Sequence, residues 1–439
     1  MCSASKGVGD PVLKLSLSLL FAVSAVAETA QQRSSRVAAV PGLVAFWTFG
    51  QTREGAWQSV CAAGTSAARY PLYLRRIGDA KRYACADWPY SDEASKIVID
   101  ETGPFGHAVR FNQGYIYAET PRAAFDGGPL DLCAERAFTL VAWMKFTGAR
   151  HMVAGIWDEG GWDKYRGRRQ AALFGGLFGR KGITAHVSAT GAASYPQSTA
   201  AGSQYARERA LDGASFTNDQ WVCMAMTVDP AKREVQAWLN GVATPLELAD
   251  PVERDVFGEA TPAQANPYRF PWPVYSPRCF VLKYNGYQAQ STGVYEHWLA
   301  VDAQAGRFTY GCRAQAQEPG RFKVSVNVLR AGAPLPGSPL EAEVKPGQAL
   351  ALPQGSSVRQ GDEIRTGLFV WKDGVWTRVG KEIVYPVPEG APFTLGRALG
   401  LGSEELAHGS QLVMDGVAVF DRVLTPEALR AISFTSPAR

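Results

Sequence analysis

Between Trp157 and Gln170 the chain reads WDEGGWDKYRGRRQ, its densest mixture of rings and charges. Trp157 and Trp162 can stack on the apolar faces of sugar rings, while Asp158, Glu159, Arg168, Arg169 and Gln170 can hydrogen-bond hydroxyls or pair with acidic sugars. The competing reading of the same residues is a solvated loop whose charges pair among themselves. A little further on stands His186, in Ala185-His186-Val187-Ser188. An imidazole titrates near neutral pH, so this residue can serve as a general base, with Glu159 and Arg169 beside it and Tyr195, Tyr205 or Tyr268 as acid partner. The other role of a lone strand histidine is structural. The stretch NPYRFPWPVY, residues 266–275, carries four rings in ten residues. Its Tyr268 and Trp272 either wall a sugar groove or pack a connection between domains.

Other chemistries lack their residues. The chain has no G-x-S-x-G elbow with a Ser-His-Asp order, no phosphate-cradling glycine loop and no Cys or His spacing of metal-site type.

What must position these side chains is a series of short strands. The segment Trp221 to Gly241, WVCMAMTVDPAKREVQAWLNG, reads as one β-hairpin. Period two puts Trp221, Cys223, Ala225 and Thr227 on one face and Val222, Met224, Met226 and Val228 on the other, so both faces are apolar, which suits an inner sheet. Asp229-Pro230-Ala231-Lys232 supplies the reversal. In the second arm Val235, Ala237 and Leu239 oppose a wet face of Glu234, Gln236 and Trp238, and Asn240-Gly241 ends it with residues that tolerate positive φ. Further strands are expected at 42–49, 108–111 paired with 115–117, 137–146, 153–157, 170–177 and 182–188. Residues 51–100 read as a long decorated loop with room for one short strand or helix. A second β-rich series runs from Cys279 to Val379, with Asp373-Gly374 as a two-residue hairpin signal. Thr425 as cap, Pro426 in the first turn and Glu427 after it mark a helix over 425–430.

Length and composition agree with this organisation. At 439 residues two or three domains are expected, and 46% apolar with 20% charged residues is the balance of a globular protein. The net charge of +4 falls to about +3 without the first 27 residues, where Lys6 and Lys14 oppose Asp10. That bias is too small to favour nucleic acid or an anionic membrane as partner. Leu15 to Ala27, LSLSLLFAVSAVA, follows two lysines and ends in a small-x-small pattern, so residues 1–27 read as a signal peptide cut after Ala27. The mature chain is then expected outside the cell or in the periplasm, with no membrane span. Of seven cysteines Cys2 leaves with the signal, and Cys61 with Cys85 and Cys279 with Cys312 are the disulfide pairings to test. Cys223 reads as a small buried apolar residue.

The pieces FTLVAWMKF, TVDPAKREVQAWLNG, APFTLGRALG and MDGVAVFDRVLTPEALRAI resemble the laminin G-like jelly rolls of the concanavalin A-like lectin and glucanase superfamily. Arg422, Leu424, Thr425, Pro426 and Glu427 match the family's closing motif, while Asp415-Gly416 replaces its usual Asp-Glu and Asp421 its usual Asn. The resemblance covers 41–250 and 391–435. It implies an all-β fold: a concanavalin A-like jelly-roll sandwich with an inserted immunoglobulin- or fibronectin-like β-sandwich at 278–390. Residues 28–40 are expected to be a linker and 251–277 an aromatic, proline-rich connection.

The resemblance also implies a function, binding of carbohydrate or polysaccharide for capture or surface attachment. A polysaccharide-degrading enzyme, lyase or hydrolase, with a site near Glu159, Arg169 and His186 is one alternative; jelly-roll lyases use His and Tyr in this way. A structural or protein-binding module is the other. The Glu-x-Asp-x-Glu strand of the superfamily's glucanases is absent, and Glu341-Ala342-Glu343 reads as an exposed strand face. Calcium occurs in many relatives, and Asp126, Asp131, Asp415 and Asp421 are its conceivable ligands here.

Overall fold

The computed structural model describes residues 28–50, 56, 57, 59, 70–74, 97–112, 114–118, 128–132, 136–158, 169–175, 182–188, 203–207, 216–232, 234–243, 278–284, 294–314, 320–387, 391–399 and 409–435. A helix α1 (Ala30–Ala38) precedes strands β1 (Leu43–Thr48), β2 (Ala56–Trp57), β3 (Leu72–Leu74), β4 (Ile97–Glu101), β5 (Ala108–Asn112), β6 (Ile116–Ala118) and β7 (Phe138–Phe146). Next come β8 (Met152–Ile156), β9 (Ala171–Gly175), β10 (Ile183–Ser188), β11 (Ser203–Arg207), β12 (Val222–Asp229), β13 (Glu234–Leu239) and β14 (Val242–Ala243). A second series holds β15 (Cys279–Lys283), β16 (Val294–Asp302), β17 (Arg307–Ala314), β18 (Phe322–Arg330), β19 (Ala333–Pro334), β20 (Leu340–Val344), β21 (Ala349–Ala351), β22 (Asp362–Lys372) and β23 (Val375–Pro386). The chain closes with β24 (Phe393–Leu395), β25 (Gln411–Phe420) and helix α2 (Pro426–Ala431).

Among the described residues the protein is mainly β, in four open antiparallel sheets. The first is ordered β14-β13-β12-β7-β25-β5-β4 with β1 also on β25, and the second β11-β10-β9-β8-β24-β6-β3-β2. Strands from the end of the chain therefore stand in the middle of both: β24 between β8 and β6, and β25 between β7 and β5. Val109, Leu140, Met144, Met224 and Val417 of the first sheet meet Leu173, Ile183, Ala185, Phe393 and Leu395 of the second in one buried core. The other two sheets, β15-β16-β17-β21 and β19-β18-β22-β23 with β20 on β18, enclose a separate core that includes Phe280, Tyr310, Val324, Val326 and Leu368.

Both faces of β12 are apolar for a specific reason. Val222, Met224, Met226 and Val228 line the inter-sheet core, while Cys223 and Ala225 lie with Val37 of α1 and Leu429 of α2 in a third cluster. The two helices thus cover the outer face of the first sheet. Trp143 anchors this layer by donating its indole N–H to the Ile432 carbonyl at 2.8 Å. The expected wet face of β13 is corrected at Trp238, which is buried and donates Nε1–H to Thr227 Oγ1 at 3.0 Å.

Local signals behave as their chemistry dictates. Asp229 accepts from the Lys232 N–H at 3.2 Å, and Asn240 and Gly241 take φ of 51° and 75°. Asp373 and Gly374 do likewise at 50° and 82°, closing the β22–β23 hairpin. Thr425 caps α2 through the Ala428 N–H.

Several expectations are corrected. Residues 28–40 include the helix α1, started by a reciprocal capping box of Thr29 and Gln32. Strands β5 and β6 do not pair with each other; each belongs to a different sheet. Residues 51–100 contain β2, β3 and part of β4. Cys279 and Cys312 do not form a disulfide with each other. Across β16 they face Asp302 and His297, five residues apart along that strand. That offset is about 17 Å, far beyond the roughly 7 Å Cα separation a disulfide tolerates. Cys61 and Cys85 lie outside the described residues. Among the described residues no helix is long and apolar enough to cross a membrane.

Candidate functional site

The face of the second sheet turned away from the core carries the sequence-predicted His186, with the ring of Trp157 against it. Alternation is clean: Ala185 and Val187 of β10, Ala171 and Leu173 of β9, Phe393 and Leu395 of β24, and Ile116 and Ala118 of β6 point into the core. The residues between them form one row across the sheet. His186 stands opposite Ala172, Ala172 opposite Gly155, Gly155 opposite Thr394, and Thr394 opposite Tyr117. On the other side of His186 the register places Tyr205 of β11. Small residues occupy the middle of the row, and larger polar ones flank it.

Aromatic rings pack around the imidazole. The His186 ring lies 4.4 Å from that of Trp157 and 6.0 Å from that of Phe174, and Trp157 and Phe174 meet edge-on at 5.3 Å. His151 adds a further edge contact to Phe174 at 5.3 Å. His186 is only 2% exposed, Tyr117 also 2% and Thr394 fully buried. Thr394 donates its hydroxyl to the Arg397 carbonyl at 2.9 Å, and the Arg397 side chain is itself buried.

The ends of β8 and β9 bring together a second group. The Gln170 N–H donates to the Ile156 carbonyl at 3.0 Å, so Trp157 and Asp158 leave β8 where Arg169 and Gln170 enter β9. All four are buried. The Gln170 amide donates to the Asp131 carboxylate at 2.9 Å, and the Trp157 carbonyl accepts from the Leu399 N–H at 2.9 Å. Arg169 lies three residues along β9 from Ala172, the partner of His186, a separation of about 10 Å. The arrangement offers a fixed amide, a carboxylate and a guanidinium at one end, and an imidazole walled by rings further along. Such a set can hydrogen-bond hydroxyls and move a proton. Glu159, Trp162, Arg168, Tyr268 and Trp272 lie outside the described residues, as do Tyr195 and Asp126.

Sequence reasoning missed Phe174, Thr394, Tyr117 and Arg397, which join the row only through tertiary pairing. Gly155 did carry a signal, since a glycine inside an apolar strand run marks close backbone approach. Its φ is 146°, and a Cβ there would meet the Ala171 carbonyl oxygen and the Ala172 Cα.

The three described calcium candidates, Asp131, Asp415 and Asp421, each have protein partners. The buried Asp415 carboxylate accepts from the backbone N–H groups of Phe105 and Gly106. Asp131 holds Gln170, and the exposed Asp421 sits 3.3 Å from Arg422 Nε. Among the described residues no three His, Cys, Asp or Glu side chains gather as a metal site. Glu341 and Glu343 pair with Lys323 and Arg321 on an exposed face.

No protein-family model matches the chain, and no curated protein matches it. Among solved structures, a Trypanosoma rangeli sialidase bound to 2,3-difluorosialic acid is similar at 11% identity and a TM-score of 0.33, over 92% of this chain and 37% of that one. The chain thus spans little more than a third of that sialidase. Domain 4 of AbnA, a GH43 extracellular arabinanase from Geobacillus stearothermophilus in complex with arabinotriose, is similar at 10% identity and a TM-score of 0.33, over 89% of this chain and 98% of that one. Likeness of this size assigns neither family nor ligand.

Proposed function

We propose that this is an exported carbohydrate-binding protein whose binding surface is the outer face of the second sheet. The observation that carries the reading is the row His186, Ala172, Gly155, Thr394 and Tyr117, with the rings of Trp157 and Phe174 tilted against the imidazole. The centre of the row is flat and made of small residues, and rings with polar tips flank it, which is the chemistry that recognises a sugar. The body that presents it is a laminin G-like jelly roll, interrupted by an immunoglobulin-like sandwich at 278–390. The central positions of β24 and β25 support that division. Export rests on residues 1–27. Because the row is buried, a sugar reaching it must displace its cover, so association is expected to be slower than for an open groove.

Affinity electrophoresis of the full chain in gels containing neutral and uronic-acid polysaccharides tests the proposal. Retardation by at least one polysaccharide, lost in Trp157→Ala and His186→Ala, is expected. Equal mobility in every gel would overturn it.

The register of Tyr205 opposite His186 favours a second reading, a polysaccharide lyase in which His186 removes the proton beside a uronate carboxylate and a tyrosine protonates the leaving oxygen. The sugar ring gains a C=C bond as the glycosidic C–O bond breaks. Absorbance of the unsaturated product on uronic-acid polymers, abolished by His186→Ala, distinguishes a lyase from a binding protein.

A further inference from the structure

On the body formed by β15–β23, the outer face of the β22–β23 hairpin displays rings to solvent instead of burying them. Trp371 is 38% exposed, and its ring lies 5.2 Å from that of Trp376, the residue directly across the hairpin. Two residues back on the same face, half-buried Phe369 stands between Lys323 and Arg378 in register. The inner side of these strands is already committed, because Leu368, Val379 and Phe322 fill the second core. The three rings are therefore surplus to the packing of this body.

Cations are interleaved with the rings. Arg321 lies 5.0 Å from the Trp371 ring centroid and 5.7 Å from that of Trp376, Lys323 lies 4.9 Å from Phe369, and Arg378 lies 5.4 Å from Phe369. Two of them have carboxylate partners: Glu343 holds Arg321 through two bonds of 2.7 and 2.9 Å, and Glu341 lies 3.6 Å from Lys323. Exposed Arg378 forms no ion pair with a described carboxylate, so its guanidinium is the charge left to offer. Gly367 keeps the floor beside Phe369 flat, since a Cβ there would sit 3.2 Å from the Phe369 ring.

We infer that Trp371, Trp376, Phe369 and Arg378 form a binding platform for an acidic polysaccharide, separate from the site on the second sheet. A flat apolar floor with projecting indoles matches the C–H face of a pyranose ring. An adjacent planar cation without a carboxylate partner matches a sugar carboxylate, which it can grip through two parallel bonds. Trp376 and Arg378 are two residues apart on one strand, about 7 Å, so one uronic-acid unit can meet both. A neutral glycan would leave the arginine unused, and a simple polyanion would leave the rings unused.

The full chain is tested by affinity electrophoresis and tryptophan fluorescence with polygalacturonate, dextran as a neutral glycan and polyglutamate as a non-sugar polyanion. Retardation and fluorescence quenching by polygalacturonate alone are expected. Trp371→Ala with Trp376→Ala should abolish retardation, and Arg378→Gln should weaken it about tenfold while leaving the hairpin rings in place. Val242→Ser serves as the comparison, because that exposed side chain of β14 belongs to neither surface. Equal retardation by dextran or polyglutamate would overturn the inference, as would polygalacturonate binding that survives the Trp371 and Trp376 changes or is unaffected by Arg378→Gln.

Discussion

Asp415 holds Phe105 in place: its carboxylate accepts the backbone N–H of a residue 310 positions earlier in the chain, and that of Gly106 at 3.2 Å. The bond ties the middle of β25 to the turn that precedes β5. Burial raises the carboxyl to about 7, outweighing the N–H bonds and the attraction of Arg33 that pull it down. The folded protein therefore retains a proton that the unfolded chain loses near pH 4, so this group's contribution to stability is full below pH 4 and declines as pH rises through about 7. The loss across that window is on the order of 4 kcal/mol. Asn at this position still accepts from both N–H groups and has no proton to lose. Urea unfolding should show the decline in the natural chain as pH rises above about 6.5, and Asp415→Asn should remove it.

His297 imposes the opposite slope on the other core. Its Nδ1 lies 2.8 Å from the Tyr310 hydroxyl, and burial lowers its pKa to about 4. The imidazole stays neutral in the folded state while the unfolded chain takes up a proton below about 6.5, so its contribution is present above that pH and is lost as pH falls through 4. Between pH 4 and 6.5 the two residues offset each other. His297→Gln should therefore steepen the decline of stability with rising pH, and Asp415→Asn should leave stability rising with pH. Identical pH profiles for the two variants would contradict both assignments.

Much of the β content was legible because its signals are local. The alternation of Val222, Met224, Met226 and Val228, the Asp229 turn and the Asn240-Gly241 pair each depend on neighbours a few residues away. Helix α1 escaped notice although Thr29 and Gln32 spell its capping box, because Val37 is its one buried residue and no apolar stripe announces it. The candidate site was half legible. Trp157 and His186 stand out by type, yet Thr394 and Tyr117 have no distinguishing neighbours and reach the row only because β24 returns between β8 and β6. Pairing across that distance is a property of the whole core, and no window of sequence contains it.

The cysteines of the second body offer a chemical check on its register. With Cys279 facing Asp302 and Cys312 facing His297, the pair cannot be bridged without moving β15 or β17 along β16. Alkylation of the non-reduced, unfolded chain should label Cys223, Cys279 and Cys312 as thiols. A peptide joining Cys279 to Cys312 would require a different strand register in this sheet.

Gly155 links the stability of the second sheet to its candidate site. It is the central member of the row, between Ala172 and Thr394, and its φ of 146° is strained for any residue with a side chain. An added methyl would strike the Ala171 carbonyl oxygen and the Ala172 Cα, both backbone atoms that cannot turn aside as a side-chain tip can. Gly155→Ala should therefore cost about 3 kcal/mol or more, read as a lower urea midpoint. Trp157→Ala, by contrast, cuts away a ring packed on His186 and Phe174 and leaves the strand pairing intact, so a cavity-type loss of about 3 kcal/mol should accompany it without a change in the register of β8. Amide exchange separates the two: Gly155→Ala should deprotect β8, β9 and β24 together, whereas Trp157→Ala should keep their protection pattern while lowering its magnitude evenly.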